Sequence, residues 1–327
     1  MKHISILVPE GAAALSCIEG AHTLFNKVND FLADRGKPPL FTVQLVALTK
    51  DPRVYNKLFR VQPDLSIDEV THTDLVIIPA VNGEMKEVIG ANSSFFPWIS
   101  MMHRGGAEVA SLCVGAFLLA STGLVGNGKC ATHWLAADHF REMFPGVELV
   151  SDKIITDENG IYSSGGACSF WNLLLYIVEK YTDRDMAILC SKYYEIEIDR
   201  YSQSAFIMFK GQKAHEDEPV KKAQEFIESN FQDRITVDQL ASMFAIGRRN
   251  LERRFKKATS NTVTEYIQRV KIEAAKKSFE TSGKNISEIM YDVGYSDNKS
   301  FRTVFRKVTG LSPVEYRNKY SKQAYIL

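Results

Sequence analysis

Two sets of residues in this chain have the types and spacing to do chemistry. The first is Ala110-Ser111-Leu112-Cys113-Val114-Gly115-Ala116-Phe117-Leu118-Leu119, where an apolar strand runs directly into an apolar helix with a cysteine at the junction. Small residues at 111 and 115 leave room for the sharp reversal of a nucleophile elbow. A thiol at that junction would face the N–H groups of the helix start, which would lower its pKa and supply an oxyanion site. His133, in Thr132-His133-Trp134 at the end of the next strand, is placed to reach the same pocket. The other reading of the pair is an ordinary buried cysteine and a structural histidine.

The second set lies in the last third, which repeats itself. Val237, Leu240, Ala241 and Phe244 recur 49 residues later as Ile286, Ile289, Met290 and Val293. Leu251, Phe255, Thr259, Glu265 and Tyr266 recur 50 residues later as Phe301, Phe305, Thr309, Glu315 and Tyr316. Thr236 three residues before Gln239, and Asn285 three before Glu288, open a helix in each copy. That helix stops near Ala245-Ile246-Gly247 and near Gly294-Tyr295-Ser296, and a second begins at once, which makes two helix-turn-helix units at about 236–258 and 285–308. Capping boxes at Thr262 and Ser312 start the following helices, the first spanning roughly Val263 to Phe279 and linking the units. With Leu251 and Phe255 facing a core, Arg248, Arg249, Asn250 and Arg253 point outward; with Phe301 and Phe305 buried, so do Asn298, Lys299, Arg302 and Arg306. Arginine to guanine and asparagine to adenine are the pairings by which a helix in the major groove distinguishes bases.

The elements that must position these sets fall into two domains. The chain has 327 residues, 45% hydrophobic and 24% charged, enough for more than one core. Net charge is +1, but the stretch from Arg234 to Leu327 holds 19 Lys+Arg against 9 Asp+Glu, so a basic tail is balanced by an acidic front. No apolar run approaches the roughly 18–20 residues of a membrane span, and the first acidic residue, Glu10, comes too early for a signal peptide, so a cytoplasmic protein is expected. Five dispersed cysteines support neither a disulfide framework nor a zinc site, and no metal or cofactor is expected. Over residues 1–182, short strands (Ile4–Val8, Phe41–Ala47, Leu75–Pro79, Ala107–Leu112, Lys129–Thr132) alternate with helices (Gly20–Ala33, Glu84–Gly90, Ser94–Arg104), the pattern of a parallel sheet covered on both faces. An amphipathic bridging helical segment, 184–213, leads to the polar linker Ala214–Pro219, which sets domain limits of 1–214 and 215–327. In the bridge, Tyr193, Tyr194, Ile196, Ile198, Phe206 and Phe209 fit either a dimer interface or packing on their own domain.

From about Val220 to Tyr320 the tail resembles the DNA-binding domain of AraC/XylS-type transcription regulators. The resemblance rests on Gly294-Tyr295-Ser296-Asp297, on Phe301-Arg302-Thr303-Val304-Phe305 and on Gly310-Leu311-Ser312-Pro313-Val314-Glu315-Tyr316-Arg317. It implies seven helices, two recognition helices in successive major grooves of promoter DNA, and a homodimer. Gly247 departs from the serine cap common in the family. The front domain, above all Ser111 to Trp134 with the Ser163-Ser164-Gly165-Gly166 turn, is similar to the class I glutamine amidotransferase-like, PfpI-type domain fused to one branch of those regulators. That likeness implies a doubly wound, flavodoxin-like parallel sheet with a small-molecule pocket over the elbow, lined by Cys113, Val114, His133, Gly83 and Gly165. Enzymes of the wider superfamily hold an acidic residue near the thiol. Here that place holds Leu15 or Ser16, with Glu19 out of register, so Cys113 and His133 are relict candidates and no catalysis is expected.

Two functions follow from these readings. In one, a small polar or amine-bearing effector binds the front domain and sets the geometry of the helix-turn-helix units on DNA. In the other, Cys113 as nucleophile and His133 as base make a cysteine hydrolase or amidotransferase-like enzyme with a DNA-binding tether.

Overall fold

The computed structural model describes residues 1–198 and 200–321, and its contacts divide the chain into two units, Met1–Gln203 and Ser204–Leu327. Asp199 in the bridging segment and residues 322–327 of the tail lie outside the described residues.

In the first unit, strands β1 (Lys2–Leu7), β2 (Phe41–Ala47), β3 (Leu65–Ser66), β4 (Leu75–Ile78), β5 (Glu108–Ser111), β6 (Ile155–Glu158) and β7 (Ile161–Ser164) form one sheet, ordered β6-β7-β5-β4-β1-β2-β3. Every pairing is parallel except that of β6 with β7. Leu75 and Ile77 of β4 join Ile4 and Ile6 of β1 in one core, while Val76 and Ile78 face another, the period-2 division of a sheet buried on both sides. Seven helices cover it: α1 (Leu15–Asp34), α2 (Met85–Ala91), α3 (Phe95–Arg104), α4 (Ala116–Ser121), α5 (Ala137–Met143), α6 (Phe170–Tyr181) and α7 (Arg184–Tyr193). Helices α1, α6 and α7 pack on the first core and the other four on the second. In α1, Cys17, Ile18, Ala21, Leu24, Phe25, Val28 and Leu32 recur every three or four residues and are buried. The parallel core β2-β1-β4-β5-β7 follows the chain order 2-1-3-4-5, the flavodoxin-like winding, which leaves a crevice at the strand ends where the order reverses, between β1 and β4.

Three expectations need correction. Lys129–Cys130 is not a strand of the main sheet; it pairs in parallel with Glu148–Leu149 in a separate two-stranded sheet. Sheet space beside β5 is taken by the β6–β7 hairpin, turned by Asn159 and Gly160, both with positive φ (54° and 77°). The bridging segment 184–213 is not one helix. Only Arg184–Tyr193 is α-helical; after it Tyr194 stacks on Trp171 at 5.1 Å and Ile196 packs on the first unit's core, whereas Phe209 joins a core of the second. The dividing line therefore falls at Gln203 and Ser204 rather than at 214, because the stretch after it is tied to the helical unit. Phe209 N–H donates to Glu273 at 3.1 Å, Gln224 donates to the Gln212 carbonyl at 2.8 Å and Lys213 meets Glu228 at 2.6 Å.

The second unit holds α8 (Glu218–Ser229), α9 (Val237–Met243), α10 (Arg248–Thr259), α11 (Val263–Thr281), α12 (Ile286–Asp292), α13 (Asn298–Thr309) and α14 (Pro313–Tyr320). Asp217, Thr236, Thr262, Asn285, Asp297 and Ser312 each cap the helix that follows by accepting a backbone N–H. Helix α11 belongs to both repeats: Val263, Tyr266 and Ile267 complete one core and Ile272, Ala275 and Phe279 the other. The turns between paired helices need a left-handed residue. In the second copy it is Gly294 (φ 75°), but in the first it is Ala245 (φ 50°), whose Cβ makes that conformation costly. Ala245→Gly is expected to stabilise the first helix-turn-helix by about 1 kcal/mol. Slower hydrogen exchange in α9 and α10 would register the gain, and unchanged or faster exchange would refute it.

Candidate nucleic-acid interface and elbow pocket

Cys113 sits just after β5 with φ 55°, the strained left-handed geometry of an elbow, and α4 follows within one turn. The chain can turn back here because residue 115 is glycine; a Cβ would lie 2.6 Å from the carbonyl oxygens of both Ile78 and Pro79. Cys113 N–H donates to Ser164 Oγ at 3.1 Å, and its carbonyl accepts Thr132 Oγ1 at 3.2 Å. Ser163 Oγ accepts Ala131 N–H at 2.6 Å. The end of β7 thus fixes both the elbow and the loop carrying His133.

Above the elbow is a cavity of about 530 Å³, at the crevice that the winding leaves, with walls from the segments after β1 (Ala14), β4 (Ala80, Gly83) and β5 (Cys113). Of the expected lining residues, Cys113, Val114, His133 and Gly83 are present. Gly165 is not: it packs beneath the Gln203 side chain and the Lys153 carbonyl, away from the cavity. Ser16, one of the two positions read as replacing the superfamily's acidic residue, also lines it, as do Cys17, Asn82, Met85, Phe117 and His139, which were not assigned to the pocket from the sequence. For Cys17 the signal was available, since it lies on the helix start that follows the first strand, beside the topological crevice.

The thiol is not activated. Burial pushes Cys113 up to about 12, the nearby Cys17 thiol adds to this, and the Val114 N–H opposes it too weakly to win. Cys17 is likewise pushed up to about 11, chiefly by burial. Among the described residues no Asp, Glu, Lys or Arg lines the cavity, and Glu19 is exposed and accepts from Thr23 instead. His133 Nδ1 accepts Leu135 N–H at 3.1 Å and burial lowers its pKa, so the neutral ring carries its proton on Nε2. That tautomer donates; its one acceptor nitrogen is already used. At pH 8 a thiol near pKa 12 is thiolate to roughly one part in 10⁴. Iodoacetamide should therefore label exposed Cys168 and spare Cys113 in the folded protein, and rapid Cys113 alkylation by peptide mapping would contradict this geometry.

In the helical unit, α10 buries Leu251, Phe255 and Thr259, and α13 buries Phe301, Val304, Phe305 and Thr309. Arg248, Arg249, Asn250 and Arg253 are exposed on α10, as are Asn298, Lys299, Arg302 and Arg306 on α13. The two sets are not alike. Arg248 lies outward as expected, but its guanidinium is engaged there: it donates to both carboxylate oxygens of Asp238 at 3.2 and 3.0 Å and to Glu252 at 3.3 Å. Arg253 donates to Asn250 Oδ1 at 3.0 Å. On α13 the four outward side chains make no hydrogen bond or ion pair among the described residues.

Two positioning residues were overlooked. Arg254 makes two 2.8 Å bonds to Asp217, pinning α10 to the start of α8; it lies three residues from buried Leu251, which is the signal that it faces inward. Lys271 is buried on α11 and donates to the carbonyls of Asp233 at 3.1 Å, Val293 at 3.0 Å and Gly294 at 3.4 Å. Burial holds its ammonium below the usual lysine range. Its place four residues after Ile267, on the apolar face, marked it as buried.

Comparison with known proteins follows the same division. A DJ-1/PfpI family model matches residues 24–180, and a helix-turn-helix domain model matches residues 240–319. The HTH-type transcriptional regulator GbdR of Pseudomonas aeruginosa is 24% identical over 269 residues, 79% of this chain and 70% of that protein. The regulator ArgR of the same species is 26% identical over 221 residues, 67% of each chain. Among solved structures, a putative transcriptional regulator from Vibrio parahaemolyticus aligns with TM-score 0.53 and 22% identity, over 59% of this chain and 98% of that one. An AraC family transcriptional regulator from Pseudomonas putida aligns with TM-score 0.50 and 15% identity, over 59% of this chain and 100% of that one, and supports the fold of the first unit. No described helix is long and apolar enough to cross a membrane, and no group of three or more His, Cys, Asp or Glu among the described residues is placed to hold a metal ion. This chain joins a DJ-1/PfpI-family domain to an AraC-type helix-turn-helix domain, and the relatives it matches over both are HTH-type transcriptional regulators.

Proposed function

We propose that the chain binds double-stranded promoter DNA through α10 and α13, and that a small polar effector in the elbow pocket changes that affinity. The observation that carries the reading is the duplicated helix-turn-helix, with basic and amide side chains exposed on the second helix of each copy. The pocket supports an effector that accepts a hydrogen bond: His133 offers Nε2–H, the Cys17 and Cys113 thiols stay neutral, and no carboxylate among the described lining residues is present to balance an amine. The hydrolase alternative is disfavoured by the same geometry, since a neutral thiol and a donating imidazole lack both the nucleophile and the base. A homodimer is part of the reading, because two copies double the groove contacts on a repeated operator; sedimentation of the full chain tests it.

The test of the whole reading is capture of genomic duplex fragments by the purified chain, followed by a metabolite screen for shifts in affinity. A captured promoter fragment whose affinity shifts with one metabolite, and no longer shifts in His133→Ala, is the expected result. Capture without any responsive metabolite would leave a constitutive DNA binder and end the effector assignment.

A further inference from the structure

The two helix-turn-helix units differ in how their outer charges are spent. Helix α13 contains no acidic residue, and Asn298, Lys299, Arg302 and Arg306 stand exposed with no side-chain hydrogen bond or ion pair among the described residues, while Arg306 feels the more distant Glu315 carboxylate. At the start of α10 the outermost guanidinium, Arg248, is enclosed by carboxylates from two helices: Asp238 in the first turn of α9 and Glu252 one turn along α10. The three side chains together carry a net charge of −1 where the sequence alone suggested +1. Arg248 and Asp238 are largely solvent-exposed and Glu252 is about half so, and ion pairs in such surroundings add little to fold stability. Their effect falls on whatever approaches from outside. With one terminal nitrogen committed to Asp238 and Nε to Glu252, the guanidinium keeps only its second terminal nitrogen for a newcomer. It lacks the paired donors that guanine O6 and N7 require.

We infer that Asp238 is a specificity-determining residue of the DNA interface, which withholds Arg248 from the duplex and leaves base reading to α13 and to Arg249 and Arg253 of α10. This rests on the DNA-binding function proposed above. Asp238 and Glu252 also bring negative charge toward the phosphates, which weakens contact with arbitrary sequence more than contact at a site that α13 reads well.

The test uses the full chain with a 30-base-pair duplex of random sequence, followed over a salt series, and a random-duplex library for selection. Asp238→Asn keeps the shape and removes the charge. It is expected to tighten random-duplex binding several-fold at low salt and to steepen the log–log salt dependence by about one. It is also expected to add a selected guanine that the parent does not enrich, and all three gains should vanish in Asp238→Asn/Arg248→Ala. Glu252→Gln should move in the same direction. An unchanged salt slope and unchanged selected sequence in Asp238→Asn would overturn the inference, as would a gain that survives loss of Arg248. A parent chain that binds no duplex at any salt would instead remove the DNA-binding reading and this inference with it.

Discussion

Lys271→Met will cost the second helix-turn-helix about 2–4 kcal/mol, because the apolar replacement keeps the stem's volume but leaves carbonyls at the end of α12 without donors. Lys271 satisfies the Val293 and Gly294 carbonyls at the turn and ties them to Asp233, at the approach to the first copy, so one side chain holds the two repeats in register. The turn has no slack with which to compensate. Gly294 has φ 75°, and a Cβ there would meet the Gln232 carbonyl and the Lys271 ammonium. Because a two-unit chain need not unfold in one step, hydrogen exchange in α12 and α13 is the proper readout. Loss of protection there, with α1 and α6 unchanged, is expected; full protection in Lys271→Met would show that the carbonyls have other partners.

Arg302→Ala should weaken binding to a selected duplex by about 1–3 kcal/mol and relax preference at one base pair. Its guanidinium is exposed, is carried by the helix that buries Phe301 and Phe305 one residue before and three after it, and makes no ion pair among the described residues. Arg249→Ala is the corresponding change on α10. Equilibrium titration with the parent's own selected duplex measures both, and unchanged affinity in the two variants would remove these side chains from the interface.

Much of this architecture was legible in the sequence because it rests on periodicity and caps. The 49- and 50-residue offsets, the Leu251/Phe255 and Phe301/Phe305 pairs and the cap at Asn285 place α9–α13 within a residue or two of the observed limits. Strand β4 was found because it is a short, continuously apolar run, and β2 because Phe41, Val43 and Leu45 alternate with Thr42 and Gln44 in a β-rich stretch. The β6–β7 hairpin was missed although Asn159-Gly160 is a turn signal, because β6, Ile155-Thr156-Asp157-Glu158, is too polar to register as a strand by hydrophobicity. The bridging stretch 184–213 reads as helical from its amphipathic composition, but only Arg184–Tyr193 is α-helical, and Tyr194 and Phe209 are divided between separate cores.

At the site, position was easier to read than chemistry. Cys113, Val114, His133 and Gly83 share one cavity: Gly83 and Cys113 follow β4 and β5 at the main sheet's crevice, while His133 comes from the loop after Lys129–Cys130, outside that sheet. What no spacing rule contains is the balance between helix-start N–H groups and burial, and for Cys113 burial wins. Likewise, outward projection of Arg248 follows from the helical wheel, but its capture by Asp238 depends on how α9 and α10 pack.

Hydroxyl-radical footprinting of the full chain on a captured duplex addresses the twin-helix interface most directly. Two protected patches on one face of the DNA, centred about 10 base pairs apart, are expected, with the patch assigned to α13 lost in Arg302→Ala. A single protected groove, or protection that Arg302→Ala leaves intact, would contradict it.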